Sequence, residues 1–298
     1  MSGVAIVDAG SSSFILSMFY DRRTVKEKVV PLRLGSKLMY GRIPKEVLIE
    51  AVRVLNGFKE LSVEAGLRGP YVFATGVFRE AFNGREALEY LLSYTGCEGR
   101  IISPLEEAEL SFRSAARDFG WDLAIFDIGG FSVEYFSMKG GKKERWSKTL
   151  GAAVIKERFN LTPPFKYQQV ESALELLIKE LRASVVSERI VVIGSTGVLT
   201  AAFLTKTDTF SWDLHGYEIE KAALDAAIEE ISESTPEQIE SRGVLFLGRG
   251  DLFPAGMVIL KAIMETTGVS SIVVSAKGFR HEIAQLLMEG NDLDGIRL

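Results

Sequence analysis

Two stretches of the chain share one alternation of apolar and polar positions. Leu123–Phe136, LAIFDIGGFSVEYF, runs through small and apolar residues to Asp127, turns at two glycines and Ser132, and resumes a β-prone run at Glu134. Val4–Phe19, VAIVDAGSSSFILSMF, repeats it: Asp8 matches Asp127, Gly10 matches Gly129, Ser13 matches Ser132, and Ala5-Ile6 matches Ala124-Ile125. Each copy reads as strand, tight turn, strand. The copies lie 119 residues apart, too far for a solenoid repeat. They predict two halves of similar design, each with an Asp-x-Gly hairpin.

The remaining periodicities fill in both halves. In the first, Thr24–Leu34 reads as a third strand. Pro44 opens a long helix with Leu48, Ala51, Leu55 and Phe58 on one face, ended by Gly66. Strands follow at Tyr71–Ala74 and Arg100–Ile102, with a loop or short helical turn at Thr75–Gly84 and a helix at Glu86–Tyr94. Pro104 then starts a helix that carries Glu106, Glu107 and Glu109 and runs to about Phe119. The second half gives strands at Asp122–Asp127, Ser132–Met138 and about Glu144–Thr149, and helices at Gly151–Phe159 and Tyr167–Val186. A buried strand, Ile190–Ile193, turns through Gly194-Ser195-Thr196-Gly197 into the helix Val198–Leu204. Helices around Ile219–Ile231 and Pro254–Thr266, a strand at Ser271–Ser275 and a helix at Lys277–Glu289 complete it. The fold class is therefore α/β: two lobes of mixed sheet flanked by helices, residues 1–119 and 120–276, meeting at a short hinge near Phe119-Gly120. A ligand is expected between the lobes, at the strand-end loops.

Composition narrows the partners. The 298 residues are 47% hydrophobic, ample for a core, and carry 40 acidic against 35 basic residues, a formal charge of -5. No basic excess points to a nucleic-acid partner. Cys97 is the only cysteine and His215 and His281 the only histidines, which excludes an intramolecular disulfide and a zinc site built from several of these residues. The chain enters its first strand without a signal-peptide pattern, and no apolar run reaches 18 residues. A soluble, cytosolic protein without a membrane partner is expected. Glycines let turn N–H groups approach a ligand closely. If the two hairpins face each other, two carboxylates and two sets of turn amides converge, a site for a metal and a phosphate chain. Taken singly, each hairpin is more often an ordinary buried turn; the matched Asp, Gly and Ser of the pair reverse the balance and favour the shared site.

At this point the chain resembles a known family, the exopolyphosphatases and guanosine pentaphosphate phosphohydrolases (Ppx/GppA) of the actin-like, sugar-kinase and Hsp70 superfamily. The carriers are DAGSSSF, Arg33-Leu34-Gly35, ATGVFREAFNG (Ala74–Gly84), ISPLEEA (Ile102–Ala108), Asp127–Glu134, Leu150-Gly151-Ala152, Gly194–Gly197, RGDLFPAG (Arg249–Gly256) and SAKGFR (Ser275–Arg280), in order over nearly the whole chain. The resemblance implies actin-like, ribonuclease H-like lobes, with the C-terminal helix, 277–298, joining the first. It makes Glu107 the general base for a water and Arg79 a phosphate-binding cation, with Arg280 a weaker candidate of that kind. Asp8, Asp127 and Glu134 become Mg²⁺ or Mn²⁺ ligands or water-positioning groups. Gly10, Ser11, Ser12 and Ser13, then Gly129, Gly130 and Ser132, then Gly194, Ser195, Thr196 and Gly197 become phosphate cradles. The implied substrate is inorganic polyphosphate or guanosine pentaphosphate, and the implied assembly a homodimer.

Several positions depart from the family pattern. Ser12 stands for asparagine, Phe131 for the third glycine of the second loop, Val133 for threonine, and Thr196 and Val198 for glycine and threonine in the third loop. Glu109 stands for arginine and His281 for glutamate. Phe131 is expected to resist a positive φ and to fill space beside the phosphates. The carboxylates and Arg79 are kept. The length resembles the family's short form, with less processive action on long polyphosphate expected. Two other functions fit parts of the pattern: a polyphosphate or nucleotide sensor with little turnover, favoured by the altered loops, and an ATP-dependent sugar-kinase-like enzyme, which would place a catalytic aspartate where Glu107 stands. Retention of Glu107 and Arg79 favours the hydrolase.

Overall fold

The computed structural model describes residues 3–21, 23–183, 187–293 and 296. Contacts divide the chain into two units, Met1–Leu110 with Phe279–Leu298, and Ser111–Gly278. The first unit contains β1 (Val4–Ala9), β2 (Ser13–Tyr20), β3 (Arg23–Pro31), α1 (Lys45–Glu64), β4 (Arg68–Ala74), α2 (Val77–Glu80), α3 (Gly84–Thr95) and β5 (Glu98–Ile101). Its sheet has the order β3-β2-β1-β4-β5. β1, β2 and β3 are antiparallel neighbours, while β4 and β5 run parallel to β1. The helix α4 (Pro104–Phe119) follows, and the division between units at Leu110/Ser111 falls inside it. The hinge read near Phe119-Gly120 is instead the C-terminal end of this helix.

The second unit repeats the design with β6 (Ala124–Ile128), β7 (Val133–Lys139), β8 (Lys142–Lys148), α5 (Ala152–Phe159), α6 (Tyr167–Glu180), β9 (Ile190–Ile193), α7 (Ser195–Thr205), β10 (Glu218–Glu220), α8 (Lys221–Ser232), α9 (Pro236–Glu240), α10 (Phe253–Thr267) and β11 (Ser271–Ser275). Its sheet order is β10-β11-β9-β6-β7-β8. Read outward from β6, this matches the first sheet read outward from β1, with β10 added at one edge. The sequence pattern missed β10 because only Ile219 is buried there, and the helical face of α8 (Leu224, Ala227, Ile228, Ile231) begins at once. The helix read over Tyr167–Val186 ends at Glu180, and residues 184–186 lie outside those described.

The central strands explain their own sequences. β1 is apolar at nearly every position because both its faces are covered. Ala5, Val7 and Ala9 pack with Leu48, Ala51, Leu55 and Phe58 of α1 in one core. Val4 and Ile6 point the other way and pack with Phe279, Ile283, Ala284 and Leu287 of α11 (Phe279–Met288). The larger core of the second unit sets Phe126 and Ile128 of β6 and Val192 of β9 against α10, whose residues Phe253–Met264 are all buried. Among the described residues no helix is long and apolar enough to cross a membrane.

Candidate active site

The two hairpins form with one construction. Gly10 donates its N–H to the Ser13 carbonyl at 3.1 Å, and Gly129 donates to Ser132 at 3.0 Å. Each loop is then gripped by its carbonyls. In the first, Leu32 and Arg33 donate their N–H groups to the Ser12 oxygen at 3.0 and 2.8 Å, and Gly35 donates to the Ser11 oxygen at 2.9 Å. That grip ends the third strand at Pro31 rather than at Leu34, because the chain leaves the ladder to bind the loop. In the second, Gly151, Ala152 and Ala153 donate to Phe131, Gly129 and Gly130 at 2.9, 3.0 and 2.8 Å. The segments Arg33-Leu34-Gly35 and Leu150-Gly151-Ala152 thus do one job in two ways. With the carbonyls held, the N–H groups of Ser11 and Ser12, and of Gly130 and Phe131, donate to no acceptor among the described residues. Turn amides left unpaired in this way are suited to an anion.

Phe131 does not carry the strain expected of it. Neither it nor Gly129 or Gly130 has a positive φ, and its ring is 52% exposed. Val133 is fully buried in the core. Ser11 is committed to structure: its hydroxyl accepts the Val77 N–H at 2.8 Å. Gly76 makes this approach feasible, since a Cβ there would lie 2.3 Å from the Ser11 Oγ. Ser12 is exposed and Ser13 begins β2.

Beneath the first loop lies Asp8. Thr75, just past β4, donates its hydroxyl to Asp8 Oδ1 at 3.4 Å. Burial pushes the Asp8 carboxyl up to about 6; Arg280 is the strongest opposing influence, Glu107 adds to the rise, and Thr75 and Arg79 oppose it more weakly. Arg79 sits on α2, and its Nη1 lies 2.7 Å from Glu107 Oε2 and 3.1 Å from the Ile102 carbonyl. Both partners of this ion pair are 18% exposed. The two adjacent glutamates at the start of α4 have different tasks. Ser103 and Glu106 form a capping box: the Glu106 N–H donates to Ser103 Oγ at 3.2 Å and the Ser103 N–H to Glu106 Oε2 at 2.8 Å. Glu106 also pairs with Arg100 at 2.9 Å, and these bonds hold its carboxyl below the usual range against the opposing effect of burial. Glu107 takes no part in the cap, so its carboxylate faces Arg79. Arg280, at the start of α11, donates to Ser17 at 3.0 Å and pairs with Glu27 at 3.3 Å.

In the second unit, the pairing of β6 with β7 sets Asp127 directly opposite Glu134, so both carboxylates share one face of the sheet. Glu134 is 5% exposed, and its Oε1 accepts from Ser132 at 2.6 Å and Ser147 at 2.7 Å. Asp127 accepts from Ser111 at 3.2 Å. The third loop borders this pair: a Cβ on Gly194, at φ 93°, would lie 3.2 Å from Asp127 Oδ1. Ser195 is exposed, but Thr196 is buried against Gly256, where a Cβ would come within 2.8 Å of its hydroxyl. Gly197 is buried against Val192 and Val274. Among the described residues no group of three or more His, Cys, Asp or Glu side chains is placed to hold a metal ion. The expected carboxylates divide, with Asp8 in the first unit and Asp127 and Glu134 in the second. Sequence reasoning missed Thr75, Ser111 and Ser147. Ser147 is found only through strand register, as the position opposite Glu134 on β8; Thr75 stands inside a motif already noted; Ser111 carries no local signal.

Fold and loops define a class: α/β proteins whose paired Asp-turn hairpins present amides and carboxylates suited to phosphate groups. The model of the Ppx/GppA phosphatase family matches residues 15–289, and the chain belongs to that family. It is 23% identical to exopolyphosphatase 2 of Mycobacterium tuberculosis over 326 residues, covering 100% of this chain and 98% of that one. A Streptomyces coelicolor protein is 36% identical over 107 residues, which span 35% of this chain and 32% of that protein. The crystal structure of the Aquifex aeolicus family member superposes with a TM-score of 0.85 at 24% identity, covering 98% and 99% of the two chains. A Cytophaga hutchinsonii exopolyphosphatase gives 0.80 at 17% identity, covering 98% and 99%. The chain is therefore an enzyme of the phosphoanhydride-hydrolase type.

Proposed function

We propose that this enzyme releases terminal phosphate from inorganic polyphosphate, guanosine pentaphosphate or both, with Glu107 as general base. The observation that carries this reading is the Arg79–Glu107 pair beside Asp8 and the amides of the first loop. Arg79 holds Glu107 Oε2, and Oε1 has no partner among the described residues. That oxygen is free to take a water. The water oxygen attacks the terminal phosphorus, its proton passes to Glu107, and the phosphoanhydride P–O bond breaks to leave a chain one phosphate shorter. Arg79, already at the site, neutralises charge on the transferring group. Loop amides cradle the neighbouring phosphates.

Asp127 and Glu134 fit Mg²⁺ or Mn²⁺. They are hard oxygen donors on adjacent strands, two serines orient Glu134, and Mg²⁺ takes one or two carboxylates and completes its shell with water and substrate oxygens. Such an ion would neutralise phosphate charge. Asp8 is the corresponding carboxylate of the first unit. The reading places the enzyme in the cytoplasm, acting on a small polyanion, as a homodimer. The test is phosphate release from polyphosphate with Mg²⁺ or Mn²⁺, wild type beside Glu107→Ala. A metal-dependent activity that falls ~10²-fold or more in the variant is expected. Full activity in Glu107→Ala overturns the assignment of the base, and no release from either substrate overturns the function.

A further inference from the structure

We propose that Arg33 is a substrate-binding residue, holding the phosphate seated on the Ser11 and Ser12 amides. The inference rests on the phosphohydrolase reading above and names a group of the first unit to which no role has been given. Arg33 has φ 52°. This left-handed conformation is disfavoured in residues other than glycine, asparagine and aspartate, and such outliers gather where function requires them. Its backbone N–H is 2.8 Å from the Ser12 oxygen, and its own carbonyl accepts from Ser36 Oγ at 3.0 Å. The residue is thereby fixed against the middle of the loop, with the side chain exposed. Arg79 and Arg280 each have a carboxylate partner, Glu107 and Glu27. The Arg33 guanidinium has no carboxylate partner among the described residues. An exposed cation without a carboxylate partner, on a left-handed backbone bonded to the loop whose amides are unpaired, has the chemistry of a phosphate contact.

A purely structural role makes the opposite prediction. If the left-handed turn serves only the backbone grip, asparagine or glycine would serve it as well or better. Arg33→Asn therefore separates the two. Inorganic tripolyphosphate binding is measured by calorimetry, and phosphate release by steady-state kinetics, for wild type, Arg33→Asn and Arg33→Lys. Arg53→Asn, an exposed arginine on α1, is the control. Arg33→Asn should unfold at the wild-type temperature or above, yet bind tripolyphosphate ~10-fold or more weakly and raise KM similarly, with kcat little changed. Arg33→Lys should recover part of the loss, and added salt should narrow the gap. Unchanged binding in Arg33→Asn overturns the proposal and leaves the hydrolase standing. A lowered unfolding temperature in Arg33→Asn assigns the arginine to the grip and also overturns it. A wild type that neither binds tripolyphosphate nor releases phosphate overturns both readings.

Discussion

The two hairpin loops have the same closing bond and the same gripped carbonyls, but differ in what lies beneath them. Opposite Asp8 on β2 stands Ile15; opposite Asp127 on β7 stands Glu134. The first unit therefore holds a desolvated carboxylate with no acidic residue opposite it on the sheet, under the influence of Arg280, Glu107 and Arg79. The second holds a carboxylate pair tied down by serine hydroxyls. The grips differ too, an extended segment with a left-handed arginine in one and the first residues of a helix in the other. What recurs is the backbone device that turns amides outward; what differs is the charge placed under it. The outward amides are alike in the two units, while the carboxylates beneath them are arranged differently.

The comparison can be broken most forcefully at Glu107, whose carboxylate pairs with Arg79 rather than with serine hydroxyls. Glu107→Gln should lower kcat ~10²- to 10⁴-fold without shifting the unfolding temperature much. A loss below tenfold would remove the first unit's claim to the chemistry.

The grips give the next largest effect. A Cβ on Gly151 would meet the backbone of Phe131 and Gly130 at 2.4–2.5 Å, whereas one on Gly35 would meet the Ser11 side chain at 3.3 Å. Gly151→Ala should cost about 3 kcal/mol and Gly35→Ala about 1 kcal/mol or less by chemical denaturation. Equal costs would show that the helix grip is no tighter than the extended one.

The carboxylates differ in their response to pH. Asp8 has a folded value near 6, above its unfolded value of 3.8, so the folded state binds the extra proton in between. Its effect is absent below about pH 4, grows as pH rises, and by neutral pH destabilises the fold by roughly 1–3 kcal/mol. Asp8→Asn, measured without divalent cations, should therefore stabilise the protein at pH 7 and flatten its stability between pH 4 and 6. A destabilised Asp8→Asn would show that the carboxylate is compensated. The smallest expected effect is Ser147→Ala, which removes one of the two hydroxyls on Glu134 and should cost about 1–2 kcal/mol.

The duplicated hairpin was legible because its pattern is local: an apolar strand, an aspartate, a turn and a second strand, each set by near neighbours. So were the positions of Arg79 and Glu107 on helical turns after Gly76 and Ser103. Less legible was anything set by register or by distant packing. That Asp127 faces Glu134 while Asp8 faces Ile15 follows from strand pairing. That Thr196 turns into the core follows from Gly256, sixty residues on. Phe131 shows the limit of arguing from a glycine position, since the turn closes without a positive φ. The division inside α4 was hidden because a continuous amphipathic pattern does not record which unit its residues contact.

The first unit is discontinuous in the chain, and this sets an order of events during synthesis. Val4, Ile6, Phe19 and Phe73 leave the ribosome before the second unit, but Phe279, Ile283 and Leu287, which pack on them, leave after it. The first unit is thus completed only after the second, with one apolar sheet face covered in part by Ile102 and Leu110 while the second unit is made. Nascent chains of this protein should need shielding over that face, and a stall before α11 should leave a sticky sheet beside an already folded unit.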